Sequence, residues 1–258
     1  MSSFTIKIIA IITMLIDHLK DGLFPDYYVM NIIGRIAFPL FAFQVAIGYE
    51  KTKNVYKYMQ RMLIFAIISE FAFYIFSQRF FNGQLVFNVM FTLLFGIMVM
   101  HVWDFKVYNK EDENKNINKK DKINQKPKTN KESNLINNIF IWIIKIFIIF
   151  TLCYIAEKFK FDYGALGVLF ILAIHLLFNR DKKIIFSILY LLYCIYEFRA
   201  FFGVVPDGIT FLYIAFMYFP IVIMFLYNGK KGPSLKYFFY LFYPIHISII
   251  ILLSYIFN

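Results

Sequence analysis

Two stretches, Thr13-Met-Leu-Ile-Asp-His-Leu-Lys-Asp-Gly-Leu-Phe-Pro25 and Gly34-Arg-Ile-Ala-Phe-Pro-Leu-Phe-Ala-Phe-Gln-Val-Ala-Ile-Gly48, set ionisable side chains inside otherwise apolar sequence. A charge at the centre of a membrane helix costs about 2.5 to 3.5 kcal/mol on insertion scales unless it is paired or faces water. Asp17, His18 and Arg35 are therefore expected to face one another or a polar cavity.

The remainder of the chain supports a membrane reading. Of 258 residues, 60% are hydrophobic and 21% aromatic, and the mean hydropathy is +0.64; soluble domains hold only about 45 to 50% apolar residues even with glycine counted. The expected fold is all-α, a polytopic bundle. Spans of about 17 to 25 apolar residues fall at nine places, roughly 4 to 24, 29 to 49, 58 to 77, 85 to 103, 135 to 156, 163 to 178, 184 to 201, 209 to 227 and 237 to 257. The first is read as a retained helix rather than a signal peptide, because it lacks a small-residue cleavage site and ends in Asp17 and His18. Residues 104 to 134 are rich in Lys, Asn, Asp and Glu and lack the apolar surface that repays ordering, so the expectation is a disordered loop within one domain covering residues 1 to 258.

The net charge of +11 could indicate a nucleic-acid partner, but its distribution argues for topology instead. One set of alternate loops holds nineteen Lys and Arg and the other set five. Positive residues favour the cytoplasmic side, so the N-terminus is expected to be cytoplasmic in a multi-pass plasma-membrane protein with no nucleic-acid partner. With that orientation Asp17, His18, Arg35, Glu70, Asn88, Asp162, Glu197 and Arg199 fall in the outer half, and His246 nearer the middle. A polar outer vestibule is implied, in which Glu70, Asn88, Thr92, Asp162 and Glu197 are candidate lining residues. Asn31 and Arg35 share one helix face, as do Asn88, Thr92 and Gly96. The glycine admits a close neighbouring helix.

Several chemistries lack their residues. Cys153 and Cys194 both lie in apolar spans and form neither a disulfide framework nor a metal-ligand pattern. No nucleotide-binding glycine loop, zinc spacing or Ser/His/Asp order is found, and no metal is expected. His101 and His175 are assigned to helix ends, where the helix dipole and snorkelling account for them. Lys145 has no explanation in the sequence.

Six blocks in order, Ile9-Ala-Ile-Ile-Thr-Met-Leu-Ile-Asp-His18, Ile33-Gly-Arg-Ile-Ala-Phe-Pro-Leu-Phe-Ala-Phe43, Tyr58-Met-Gln-Arg61, Asn88-Val-Met-Phe-Thr-Leu-Leu-Phe-Gly96, Asp162-Tyr-Gly-Ala-Leu-Gly-Val-Leu169 and Phe242-Tyr-Pro-Ile-His246, resemble the TraX family. They extend over nearly the whole chain; the long Lys/Asn-rich loop is a departure from the family pattern. The resemblance implies a membrane acyltransferase of the kind associated with N-terminal acetylation of conjugative pilin, related to transmembrane enzymes such as heparan-alpha-glucosaminide N-acetyltransferase. It also implies acetyl-CoA or another acyl-CoA as donor from the cytoplasm, and an extracytoplasmic amine or hydroxyl acceptor, on a pilin-like peptide or a surface glycan.

The residues fit that chemistry as follows. Amine acylation needs a base near neutrality, and unperturbed imidazole titrates near about 6.5, which makes His18 the first candidate. Asp17 either orients His18 or pairs with Arg35, since adjacent helix residues point about 100° apart. Arg35 either holds the site's carboxylates, Asp17 or Glu70, or stabilises negative charge developing on a thioester oxygen. His246, behind Tyr243 and Pro244, is the second catalytic candidate. Lys51, Lys53, Lys57 and Arg61 are candidates for the CoA phosphates, with the positive-inside rule as the plainer account of each. Two other classes of function stay open: a transporter or flippase using the Asp-His-Arg set as a proton relay, and a non-catalytic assembly protein. Against transport stands the lack of a clear inverted repeat or paired broken helices.

Overall fold

The computed structural model describes residues 1–83, 87–105, 131–180, 182–200, 210–233 and 235–257. Its elements are α1 (Ser3–Leu23), α2 (Tyr28–Gly34), α3 (Ala37–Lys51), α4 (Val55–Phe80), α5 (Val89–Asp104), α6 (Lys131–Lys158), α7 (Gly164–Ala173) continuing into a π-helical turn Ile174–Phe178, α8 (Lys183–Ala200), α9 (Thr210–Tyr218), α10 (Pro220–Phe225) and α11 (Lys236–Phe257). Among the described residues the fold is all-helical, apart from an isolated bridge between Phe87 and Phe161. The polar loop expected at 104 to 134 lies outside the described residues from 106 to 130.

Helix starts and breaks follow from identifiable residues. Ser2, Asn54 and Asn88 cap α1, α4 and α5 by accepting from the backbone N–H of Thr5, Lys57 and Met90, satisfying donors that lack a helical partner. The second expected span is broken between Gly34 and Ala37. Pro39 supplies no N–H to the carbonyl four residues back, that of Arg35, so the helix is interrupted where the Arg35 side chain leaves it. Pro220 does the same to the eighth span, standing at the first turn of α10.

Four stretches among the described residues are long and apolar enough to cross a membrane: Tyr28–Lys51, Val55–Phe80, Asn137–Lys158 and Tyr237–Phe257. Helices at Val89–Asp104, Gly164–Phe178, Lys183–Ile195 and Leu212–Phe225 are apolar but shorter. α1 is long enough at 21 residues but carries Lys7, Asp17, Lys20 and Asp21. The spans in α4, α6 and α11 bury only 33%, 22% and 28% of their apolar windows. Outward Phe71, Phe147 and Leu252 are more than half exposed, an arrangement that water would penalise and hydrocarbon tolerates. The chain is a membrane protein.

The central element is α3. Ala37, Phe38, Leu40, Ala42, Phe43, Val45 and Ala46 are all buried, and α3 packs against α1, α5 and α7. α1 also contacts α2 and α11, and α5 contacts α4, α6 and α7. α1 buries a stripe at Ser3, Ile6, Ala10 and Met14, the spacing of one helix face. α5 and α7 approach closely because a Cβ on Gly96 would overlap Ile171, and one on Gly167 would meet Tyr163 and Thr92. Gly96 thus has the packing role its sequence position implies.

Candidate functional site

At the end of the bundle where α1 terminates, a cavity of about 490 Å³ opens between α1, α2, α3 and the loop before α7. Its wall includes Asp17, His18, Asp21, Asn31, Arg35 and Asp162, with Tyr163, Tyr213 and Tyr243. The volume lies within the range of small-molecule sites, about 300 to 1,000 Å³.

His18 comes from α1 and His246 from α11, and the two rings meet: His18 Nδ1 is 2.7 Å from His246 Nε2, with the rings near parallel at 24° and 5.0 Å between centroids. His246 is only 4% exposed, and its Nδ1 lies 2.7 Å from the Phe242 carbonyl oxygen one turn earlier. A carbonyl oxygen only accepts, so His246 Nδ1 carries the hydrogen. In a neutral pair, His246 Nε2 is then an acceptor, and His18 Nδ1–H donates to it. The second His18 nitrogen, Nε2, is left with a lone pair on a residue that lines the cavity. Phe76 and Tyr243 flank the His18 ring edge-to-face at 5.4 and 6.1 Å.

Asp17 does not orient His18. Its Oδ1 accepts from Asn31 Nδ2 at 3.3 Å, and Asn31 Oδ1 accepts from an Arg35 guanidinium N–H at 3.3 Å. One amide thus links the carboxylate to the arginine across the break between α2 and α3. Gly34 permits this arrangement, since a Cβ there would overlap the Asp17 carboxyl. Of the two roles weighed for Asp17, the structure shows the Arg35 side, through Asn31.

Asp162 is held in the connection before α7. Its N–H donates to the Phe87 carbonyl at 2.9 Å, and its carbonyl accepts from the Thr92 hydroxyl. Tyr163, at φ +68°, stacks on Phe38 with ring centroids 3.8 Å apart. Burial pushes the Asp162 carboxyl up to about 7; the neighbouring Asp17 charge acts in the same direction and Arg35 opposes it.

The other candidate vestibule residues lie elsewhere. Glu70 and Asn88 do not line the cavity. Glu70 Oε2 accepts from both the Asn88 side-chain amide, at 2.6 Å, and the Asn88 backbone N–H, at 3.0 Å. Asn88, fully buried, also donates to the Ala66 carbonyl and caps α5. A carboxylate that resembles a vestibule group in the sequence is here the partner of a helix cap. Thr92 is buried between α5 and the Asp162 backbone. The side chains of Glu197 and Arg199 are outside the described residues.

A second cavity, about 430 Å³, opens at the opposite, lysine-rich end. Lys51 and Arg61 line it; Lys53 and Lys57 do not. Two further cations that sequence reasoning did not single out, Lys7 and Lys231, complete its rim. The signal for Lys7 was available: it lies on the same helix as His18, eleven residues earlier. Lys51 Nζ donates to the Tyr227 hydroxyl at 2.7 Å and the Gly229 carbonyl at 2.9 Å.

His175 lies in the last turn of its helix, as expected, but it is buried and paired rather than snorkelling. The π-helical turn carries it into the protein, 3% exposed. Its Nε2 lies 2.8 Å from Asp104 Oδ2, the other carboxylate oxygen, Oδ1, accepts from Arg180 at 2.7 Å, and the Nδ1 of His175 is 3.4 Å from Glu50. It ties together the ends of α3, α5 and α7, a role with no local sequence signature. Lys145 is explained as well: it donates to the Trp103 carbonyl at 2.7 Å and lies 4.8 Å over the Trp142 ring, which satisfies a cation within an apolar helix. His101 remains at a helix end, 3.4 Å from the Tyr56 hydroxyl.

Among the described residues no group of three His, Cys, Asp or Glu is placed to hold a metal ion. A family model described as TraX protein matches residues 2–254. The chain is 27% identical over 267 aligned residues to the probable fimbrial assembly protein FimC, serogroup H1, of Dichelobacter nodosus, covering 96% of this chain and 94% of that protein. It is 33% identical over 92 residues, 35% of this chain and 33% of the other, to an uncharacterized protein of Rickettsia prowazekii (strain Madrid E). No solved structure matches. With nearly its whole length matched by that model, this chain belongs to the TraX family.

Proposed function

We propose that the protein is a multi-pass plasma-membrane acyltransferase that moves a short acyl group from a cytoplasmic acyl-CoA to an acceptor on the other side of the membrane. The observation that carries this reading is the bonded pair of His18 and His246, which leaves His18 Nε2 as a lone pair on the wall of a polar cavity. The acceptor nitrogen or oxygen attacks the thioester carbonyl carbon, a C–N or C–O bond forms, the C–S bond breaks, and CoA leaves as thiolate. His18 Nε2 takes the acceptor's proton and returns it to the thiolate, giving free CoA thiol. As His18 becomes an imidazolium, its Nδ1–H keeps its bond to His246. Arg35, held by Asn31, offers positive charge to the developing oxyanion.

The lysine-rich cavity suits the donor. Lys7, Lys51, Arg61 and Lys231 line a largely apolar space that also holds Ser3, Gln44 and Thr52, suiting phosphates at the rim and a pantetheine arm, with its amides, within. The positive residues on that side support a cytoplasmic N-terminus. The likeness to a probable fimbrial assembly protein over nearly its full length makes a pilin-like peptide the acceptor of choice.

A transporter is the second reading. Two cavities opening at opposite ends of one bundle, beside a buried Asp-Asn-Arg set, also suit alternating access. Purified protein in nanodiscs, given acetyl-CoA and a primary amine, separates the two. Thiol release that requires the amine and is lost in His18→Ala supports transfer; no thiol release, with substrate flux in liposomes, supports transport. Neither activity would leave a non-catalytic assembly role.

A further inference from the structure

The two cavities are separated by a thin wall. Met14, Phe41, Val89 and Tyr243 line both, so a group passing from the lysine-rich side to His18 has those four side chains to cross. We infer that this wall selects the acyl group, and that Met14 and Phe41 are the residues whose bulk restricts transfer to short chains. The inference rests on the acyl-transfer reading and specifies its substrate.

The layout of α1 orders the path. Lys7 lies at the rim, Met14 at the wall and His18 beyond it. At 1.5 Å per residue the step from Lys7 to His18 is about 16 Å along the axis, and from Met14 to His18 about 6 Å. Met14 and His18 are four residues apart, on one helix face. A donor with its phosphates at the cations points its uncharged end along α1, and the Met14 side chain is the last obstacle before His18.

Two wall members are fixed in place. Val89 is the first residue of α5, seated by the Asn88 cap and its bonds to Glu70. Tyr243 is 4% exposed, its ring 6.1 Å from that of His18 and 5.6 Å from that of His246. The wall can yield more easily elsewhere. Met14 is unbranched with three rotatable bonds, and Phe41 is only partly buried. An acetyl carbonyl needs little displacement to come within reach of an acceptor in the outer cavity, whereas each added methylene occupies space these two side chains fill. Apolar pockets discriminate one methylene by about 10 to 200-fold.

The test is a chain-length series in nanodiscs. Thiol release is measured with acetyl-, butyryl-, hexanoyl- and octanoyl-CoA and a fixed primary amine, for wild type, Met14→Ala, Met14→Phe and Phe41→Ala. Wild type should prefer acetyl. Met14→Ala and Phe41→Ala should each raise the hexanoyl-to-acetyl ratio of kcat/KM by about tenfold or more, and Met14→Phe should lower butyryl transfer more than acetyl. Thermal stabilisation by desacyl CoA checks that each variant is folded and still binds at the rim. Where an alanine variant fails that check, Met14→Val and Phe41→Leu should shift the ratio the same way in smaller steps. An active wild type with one chain-length profile shared by all folded variants would overturn the wall as selector. No thiol release from wild type with any acyl-CoA would overturn the transfer reading itself, and this inference with it.

Discussion

His18 and His246 are 228 positions apart in the chain, yet their rings are joined by a 2.7 Å bond. Because the Phe242 carbonyl requires the hydrogen on His246 Nδ1, the chain of bonds sets the tautomer of both rings and points the basic nitrogen of the pair away from α11.

That relationship predicts unequal effects for the two histidines. Removing a general base costs about 10² to 10⁴ in rate, so His18→Ala should suppress transfer by that factor with acyl-CoA affinity unchanged. His246→Phe, which offers Nδ1–H no acceptor, should lower kcat as well, and His246→Gln, whose amide oxygen can accept, should recover part of it. Full turnover in His18→Ala would place the residue in the scaffold.

The rim of the lysine-rich cavity divides the four basic candidates into two pairs. Lys51→Ala and Arg61→Ala should raise the Kd for acyl-CoA and flatten its salt dependence, because those side chains line the cavity. Lys53→Ala and Lys57→Ala should leave both unchanged. Calorimetric titration with desacyl CoA measures all four, and equal effects would show a diffuse field in place of a site.

Gly34 is predicted to be intolerant for one defined reason. An added Cβ would overlap the Asp17 carboxyl, and overpacking of this kind typically costs about 1 to 3 kcal/mol. Gly34→Ala should therefore lower Tm in detergent. In an Asp17→Gly background the added loss should be smaller, because the Asp17 Cβ and carboxyl that meet the new methyl are both gone. Additive losses would mean that the overlap is relieved elsewhere.

Asp162 should couple stability to pH. Its carboxyl is raised by burial from 3.8 to about 7, so between those values the folded state binds more protons than the unfolded one. Stability from this group is therefore present at low pH and is lost as pH rises towards 7. Asp162→Asn cannot ionise, so its Tm relative to wild type should rise between pH 5 and pH 8. A constant difference across that range would show that Asp162 is not the group responsible.

Orientation can be read with an impermeant thiol reagent in intact cells after replacing Cys153 and Cys194. A cysteine at Lys53 or Lys231 should be protected and one at Gly83 labelled. The reverse pattern would place the lysine-rich cavity outside and remove its access to cytoplasmic acyl-CoA.

Much of the architecture was legible in the sequence because it is local. In lipid every backbone polar group must be satisfied within its own segment, so apolar runs of sufficient length become helices whatever surrounds them. All nine expected spans contain helix, Gly96 lies at a close helix approach, and the family blocks mark His18, Arg35, Asp162 and His246. Tertiary structure decided which polar residues meet. Spacing within one helix tells which side chains share a face, but not which face of another helix lies opposite. Glu70 and Asn88 became a helix cap rather than cavity wall, His175 a buried link between three helices, and Lys7 and Lys231 part of one rim. The pairing of His18 with His246, and the four side chains that separate two cavities, exist only because α1, α3, α5 and α11 converge, and that convergence is set by the packing of whole helix faces rather than by any local pattern.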